Sequence, residues 1–144
     1  MKKVVITSGF FNPLHIGHVN LIRDAKKLGD VLVVIVNNDE QVKIKGAVPF
    51  MPAKERIEII KALRYADDVV LSIDKDMSVA KSLGLIAEKN PGAQLFFAKG
   101  GDRNIDNLPS EERKVCEVFD IKIISGVGGS KVQSSSWLLK KATK

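Results

Sequence analysis

Short apolar runs alternate along the chain with longer segments whose apolar residues recur every three or four positions. Val4-Val5-Ile6-Thr7 and Val31 to Val36 are continuous and rich in β-branched residues, which suits strands covered on both faces. Ile16 to Leu28 has helical spacing and stops at Gly29. The alternation then predicts a helix from Pro52 to Leu63 with Pro52 near its first turn, a strand from Asp68 to Ser72 and a helix from Met77 to Lys89. It continues with a strand from Gln94 to Ala98, a helix from Ser110 to Phe119, a strand from Ile121 to Ser125 and a helix from Ser134 to Ala142. Asn37 to Val48 reads as a polar loop bearing lysines. Strands that alternate with helices pair in parallel through right-handed crossovers. The expected class is therefore α/β: a three-layer, Rossmann-like open parallel sheet with helices on both faces. Ligands of such sheets sit beyond the carboxyl ends of the strands, near the reversal in strand order. The loops after Thr7, Val36, Ala98 and Ser125 are accordingly where chemistry is expected.

A length of 144 residues fits one domain spanning 1–144, and 44% hydrophobic with 28% charged residues is an ordinary globular balance. The net charge of +6 favours polyanionic ligands such as nucleotides and phosphates. Nucleic acid is the weakest of these, because aromatic residues total 6% and do not cluster with lysine. No apolar run approaches the roughly 20 residues that cross a bilayer, and neither a leader nor a membrane partner is expected. Cys116 is the only cysteine, which rules out an internal disulfide and reads as packing. The expected compartment is the cytoplasm. Lys140, Lys141 and Lys144 read as a solvated helix end, and Trp137 as core or dimer contact.

Both histidines of the chain fall in Thr7-Ser8-Gly9-Phe10-Phe11-Asn12-Pro13-Leu14-His15-Ile16-Gly17-His18, between the first strand and the first helix. A helix start offers unpaired N–H groups and a partial positive charge to phosphate oxygens. Imidazoles three residues apart can reach the same phosphate, and Gly9 and Gly17 are expected to let backbone approach it. The segment resembles the HxGH signature of the nucleotidylyltransferase superfamily, which includes heptose 1-phosphate adenylyltransferases and glycerol-3-phosphate cytidylyltransferase.

Further strings extend the resemblance over nearly the whole chain. Ser134-Ser135-Ser136, after Gly126-Val127-Gly128-Gly129, is similar to the family's C-terminal hydroxyl-rich helix start, with Lys131 near the position where many relatives carry arginine. One serine would serve as a plain N-cap; three suggest phosphate contacts as well. Lys43 and Lys45 resemble the mobile lysine loop of the heptose-type enzymes and cytidylyltransferases, and Arg56 an arginine early in the next helix, whose plain alternative is a surface salt bridge. Lys99-Gly100-Gly101-Asp102 is similar to the nucleotide loop of the heptose enzymes. Asn38 and Asp39 close the second strand, with Asp39 a candidate contact for the acceptor.

The resemblance implies an enzyme that passes AMP or CMP from ATP or CTP to a phosphorylated sugar or polyol and releases pyrophosphate. It leans to the heptose 1-phosphate adenylyltransferases, with a glycerol-3-phosphate-type cytidylyltransferase as the alternative and a non-catalytic nucleotide-binding regulatory module as the reading from another class. It assigns catalysis to His15, His18, Lys43 and Lys45, and nucleotide binding to Ser8, Gly9, Phe10, Phe11, Gly17, Lys99, Gly100, Gly101, Asp102, Lys131, Ser134, Ser135 and Ser136. Asp39 and Arg56 are assigned to the acceptor. No residue is assigned to metal; Mg²⁺ is expected on the nucleotide phosphates, because no dedicated carboxylate cluster is visible. Relatives are often dimers, so a homodimer is an expectation of the same kind.

Overall fold

The computed structural model describes residues 1–101, 105–130 and 132–143. Five strands, β1 (Lys3–Gly9), β2 (Val31–Val36), β3 (Asp68–Leu71), β4 (Gln94–Gly100) and β5 (Ile121–Val127), form one sheet in the order β3-β2-β1-β4-β5. Every neighbouring pair is parallel. Helices α1 (Ile16–Lys26), α2 (Asp39–Ile44), α3 (Ala53–Lys61), α4 (Ala80–Lys89), α5 (Ser110–Val118) and α6 (Ser135–Ala142) complete the chain, with a 3-10 turn at Ile105–Asn107. The α/β, Rossmann-like reading of the alternation holds.

Two cores lie on opposite faces of this sheet, because side chains alternate sides along each strand. Val4, Ile6, Val33, Ile35, Leu95 and Phe97 pack against Leu83, Ile86 and Ala87 of α4 and Cys116 of α5. Val5, Leu32, Val34, Val36, Phe96 and Ala98 face Ile22 and Ala25 of α1 and Ile60 of α3. Cys116 is buried, and burial pushes its thiol up to about 11, with Glu112 adding to the effect; it packs, as expected.

The strand order reverses at β1, and there the sheet opens. β1 and β4 pair from Lys3↔Gln94 to Ile6↔Phe97, after which β1 stays with β2 as far as Gly9↔Val36. β4 leaves with β5, through an irregularity between Ala98 and Gly100. Where the two strands part, the buried Thr7 hydroxyl donates to the Ala98 carbonyl at 2.9 Å, linking β1 to β4 beyond their last paired residues.

Several boundaries differ from expectation for local reasons. Residues 39–44 are helical: Asn38 Oδ1 accepts from the Gln41 amide at 2.9 Å while Gln41 Oε1 accepts from the Asn38 amide at 3.1 Å, a reciprocal cap. Lys43 is therefore a helical residue and Lys45 the C-cap of α2, not members of a loop. Asp39 likewise opens α2 and does not close β2. α4 starts at Ala80, later than its spacing suggests, because the buried Asp74 carboxylate reaches forward to the Lys81 and Ser82 amides at 2.8 and 3.0 Å. β1 and β4 run on through Ser8-Gly9 and Lys99-Gly100, so these residues belong to strand ends.

The loop after β5 approaches α1 closely enough to demand glycine. Gly128 has φ +89° and a Cβ there would stand 2.9 Å from backbone atoms of Leu21, whereas Gly46, at φ +87°, has open space. Gly46→Ala should cost about 1 kcal/mol through left-handed strain alone. Gly128→Ala should cost about 1–3 kcal/mol more, through the clash. Equal losses for the two variants in urea denaturation would contradict this packing.

Candidate functional site

A cleft of about 640 Å³ opens where β1 and β4 part. His15, His18, Lys45, Lys99 and Ser134 to Ser136 all line it, and Ser8 to Phe11, Gly17, Gly100 and Gly101 do so too. Asp102 and Lys131 lie outside the described residues.

The two imidazoles close the first turn of α1. His15 Nδ1 accepts from the Gly17 amide at 3.1 Å, and His18 Nδ1 accepts from the His15 amide at 3.2 Å. Each ring thus spends its Nδ1 lone pair on a backbone N–H, which puts the proton of the neutral form on Nε2. The rings stack at 3.7 Å between centroids and 26° between planes. Phe11 meets His18 edge-on at 4.9 Å and 75°. Burial first, then the charges of His15 and Lys45, hold His18 down to about 3 from its usual 6.5, so at neutral pH it is an uncharged Nε2–H donor. Lys45 lines the same cleft, its Nζ 4.4 Å from the Phe10 ring centroid.

Two glycines make room for rings of the protein itself. A Cβ on Gly9 would lie 2.7 Å from the Phe11 ring, and one on Gly17 would lie 2.9 Å from His15 Cε1. Both glycines also line the cleft. Phe11, at φ +51° and 1% exposed, is a buried support for His18.

Opposite α1, the amino end of α6 reaches the same cleft. Ser134 is the N-cap, its Oγ accepting from the Trp137 amide at 3.1 Å, and Ser136 Oγ lies 3.1 Å from Ser134 Oγ. Ser135 donates to the Pro13 carbonyl at 2.8 Å, which ties the start of α6 to the loop before α1. Two helix N-termini consequently converge on one space, an arrangement fitted to a polyanion. Lys99, on β4, sets its ammonium 4.6 Å from the Phe97 ring centroid.

Three assigned residues are not at the cleft. Lys43 is on the exposed side of α2. Arg56, 1% exposed, donates to the carbonyls of Met51, Phe10 and Asn37 at 2.9, 2.7 and 2.7 Å, and pairs with Asp39 at 2.6 Å. Asp39 also accepts from the Ala53 amide at 3.1 Å. With Arg56 buried, this pair is not a surface salt bridge: it joins the ends of β1 and β2 to the start of α3. Arg56 shares the inner side of α3 with Ala53 and Ile60, a spacing of three and four that was available as a signal.

Sequence reasoning missed Asn12 and Glu112. Asn12, 6% exposed, donates to the Val48 carbonyl at 2.9 Å and accepts from the Phe50 and Met51 amides at 2.6 and 3.3 Å. Those partners are too distant in sequence for any local pattern to reveal. Glu112 lines the cleft, is 3% exposed and accepts from the Val79 amide at 3.0 Å. Its position four residues before Cys116 put a carboxylate on the apolar side of α5, which was the available clue.

A family model described as cytidylyltransferase-like matches residues 6–139. FAD synthase of Pyrococcus abyssi is 42% identical over 110 residues, covering 76% of this chain and 70% of that protein. Bifunctional protein HldE of Citrifermentans bemidjiense is 36% identical over 143 residues, covering 97% of this chain but only 27% of that longer protein. The crystal structure of a lipopolysaccharide core biosynthesis protein from Thermoplasma volcanium superposes with a TM-score of 0.70 at 24% identity, covering 91% of this chain and 100% of that one, and shares the fold.

The partly buried ring of His18 carries a pH signature. Its pKa is depressed on folding, so between 6.5 and about 3 the unfolded chain binds a proton that the folded chain refuses. The stability is whole above pH 6.5 and is lost as pH falls, by at most about 1.4 kcal/mol per unit. Relative to His18→Asn, which keeps a cap acceptor without titrating, the parent protein should lose stability from pH 7 to pH 4 in denaturant titrations. A difference that stays constant with pH would contradict the assignment.

Proposed function

Because the chain belongs to the cytidylyltransferase-like family of nucleotidyltransferases, we propose that it transfers the AMP moiety of ATP to FMN, forming FAD and pyrophosphate. The observation that carries the nucleotidyl-transfer reading is the meeting, in one cleft, of the stacked His15–His18 pair, Lys45 and the start of α6. ATP and FMN are favoured by the FAD synthases, which resemble 71–78% of this chain at 39–43% identity. The heptose 1-phosphate reading is kept second, on the strength of the HldE match over 97% of the chain and of Lys99-Gly100-Gly101 at the cleft.

In the proposed reaction an oxygen of the acceptor phosphate attacks the α-phosphorus in line with the departing pyrophosphate. The attacking monoester is anionic at neutral pH, so no general base is needed. Catalysis is then positioning and charge stabilisation. His18 and His15 would offer Nε2–H groups to the phosphate oxygens, and a neutral donor keeps its proton throughout. Lys45 would bring its ammonium to the same phosphates, with Lys99 nearby on β4. The amides at the start of α6 and the hydroxyls of Ser134 and Ser136 would hold the distal phosphates.

Among the described residues no group of three or more His, Cys, Asp or Glu is placed to hold a metal. The donor set fits Mg²⁺ that is held by the nucleotide phosphates and water, where it would neutralise part of their charge.

A panel of ATP and CTP against FMN, heptose 1-phosphate and glycerol 3-phosphate, followed by pyrophosphate release, tests this. Release with ATP and FMN alone is expected, whereas release with heptose 1-phosphate alone would pass the assignment to the second reading, and none with any pair would reject catalysis. His18→Asn should retain the fold by circular dichroism yet lower kcat about 10²- to 10³-fold, through the lost Nε2–H donor. Full activity of that variant would remove His18 from the site.

A further inference from the structure

One stretch beside the cleft is apolar where solvent would favour polar side chains. Between the end of α2 and the start of α3, Ile44 is 53% exposed, Val48 79% and Phe50 61%. Exposed apolar residues concentrated in so short a segment at the rim of a cleft usually mark something they bind.

This segment is also held in place. Asn12 takes the carbonyl of Val48 and the amides of Phe50 and Met51, and Arg56 takes the Met51 carbonyl. With these main-chain groups engaged, residues 48 to 51 form a strap along the cleft, displaying the side chains of Val48 and Phe50 while Lys45 and Ala47, on its approach, line the cleft itself. Val48 and Phe50 thus follow directly along the chain from Ala47, which lines the cleft together with Lys45 and Asn12.

The character of that surface discriminates between acceptors. A sugar's many hydroxyls need donors and acceptors, and leaving them unmatched against apolar groups is unfavourable. The side chains of Val48, Pro49, Phe50 and Met51 provide none, and the Val48 carbonyl and the Phe50 and Met51 amides are already engaged by Asn12. A planar ring system loses apolar surface to water when it lies on Phe50 and Val48, and gains an aromatic contact besides.

We propose that Val48 and Phe50 form the platform on which the isoalloxazine ring of the acceptor rests, its ribityl chain crossing Ala47 and its phosphate reaching Lys45. The proposal rests on the FMN reading above and names the residues that would make this site choose a flavin over a sugar.

Riboflavin, which has the ring but no phosphate, separates platform from catalysis. Its fluorescence anisotropy should rise on binding the parent protein, and FMN should compete. Phe50→Ala, an exposed substitution, should leave the melting temperature and the KM for ATP unchanged. It should weaken riboflavin binding and raise the KM for FMN by about tenfold, with Phe50→Trp restoring both. Unchanged riboflavin binding in Phe50→Ala, or a parent protein that does not bind riboflavin at all, would overturn the platform. So would loss of a dimer in that variant without any change in flavin binding, since Phe50 would then be a contact between copies. Failure of the parent to turn over FMN while still binding riboflavin through Phe50 would instead reject the adenylyl transfer and leave the platform standing.

Discussion

The seat of His18 is the contact on which the rest of the cleft depends. Its ring is held on one side by stacking with His15 and on another by the edge of Phe11, while its Nδ1 is fixed by the His15 amide. Phe11 can occupy that place only because Gly9 has no side chain, and His15 can fold back only because Gly17 has none. The two imidazoles are therefore parts of the helix start as much as groups facing the cleft. Their orientation is set before any phosphate arrives, which is the condition under which a neutral donor stabilises developing charge most effectively.

That seat would be of little use on a mobile loop. The chain between β1 and α1 is anchored in two ways that involve distant sequence: Arg56 holds the Phe10 carbonyl, and Asn12 holds residues 48 to 51. Arg56 is fully buried, and its hydrogen bonds to three carbonyls and one carboxylate offset the desolvation of its charge. One side chain thereby sets the end of β1, the end of β2 and the start of α3 in register. Ser135 does the corresponding work for α6, by its bond to Pro13.

What could be read from the sequence follows the range of the forces involved. Strand and helix alternation, the parallel sheet and the cleft at the reversal of strand order are encoded in local periodicity, and all were legible. Residues 39–44 were misread as loop although Asn38 and Gln41 carry a capping signature, because six residues are too few to show a helical stripe. Arg56 and Glu112 were each legible in part, as charges placed on apolar helix faces. Asn12 was not, since its bonds run to residues 36 to 39 positions away. The sequence singles out Gly9 and Gly17 but not the Phe11 and His15 rings that need their space, because a glycine reports that room is required and not what fills it.

The same distinction explains why the chemistry of the site is more plainly written in the chain than its acceptor. Gripping a polyphosphate calls on helix starts, imidazoles and ammonium groups, which are few in kind and occur at fixed offsets from strand ends. Choosing an acceptor calls on whatever surface borders the attacking phosphate, and any strap of suitable length can supply that. Here Asn12 engages the Val48 carbonyl and the Phe50 and Met51 amides of the strap, whose Val48 and Phe50 side chains stand exposed. On the proposed platform Asn12 would serve the fold and the acceptor border together, and changes at positions 48 and 50 would alter the acceptor without disturbing His15, His18 or the start of α6.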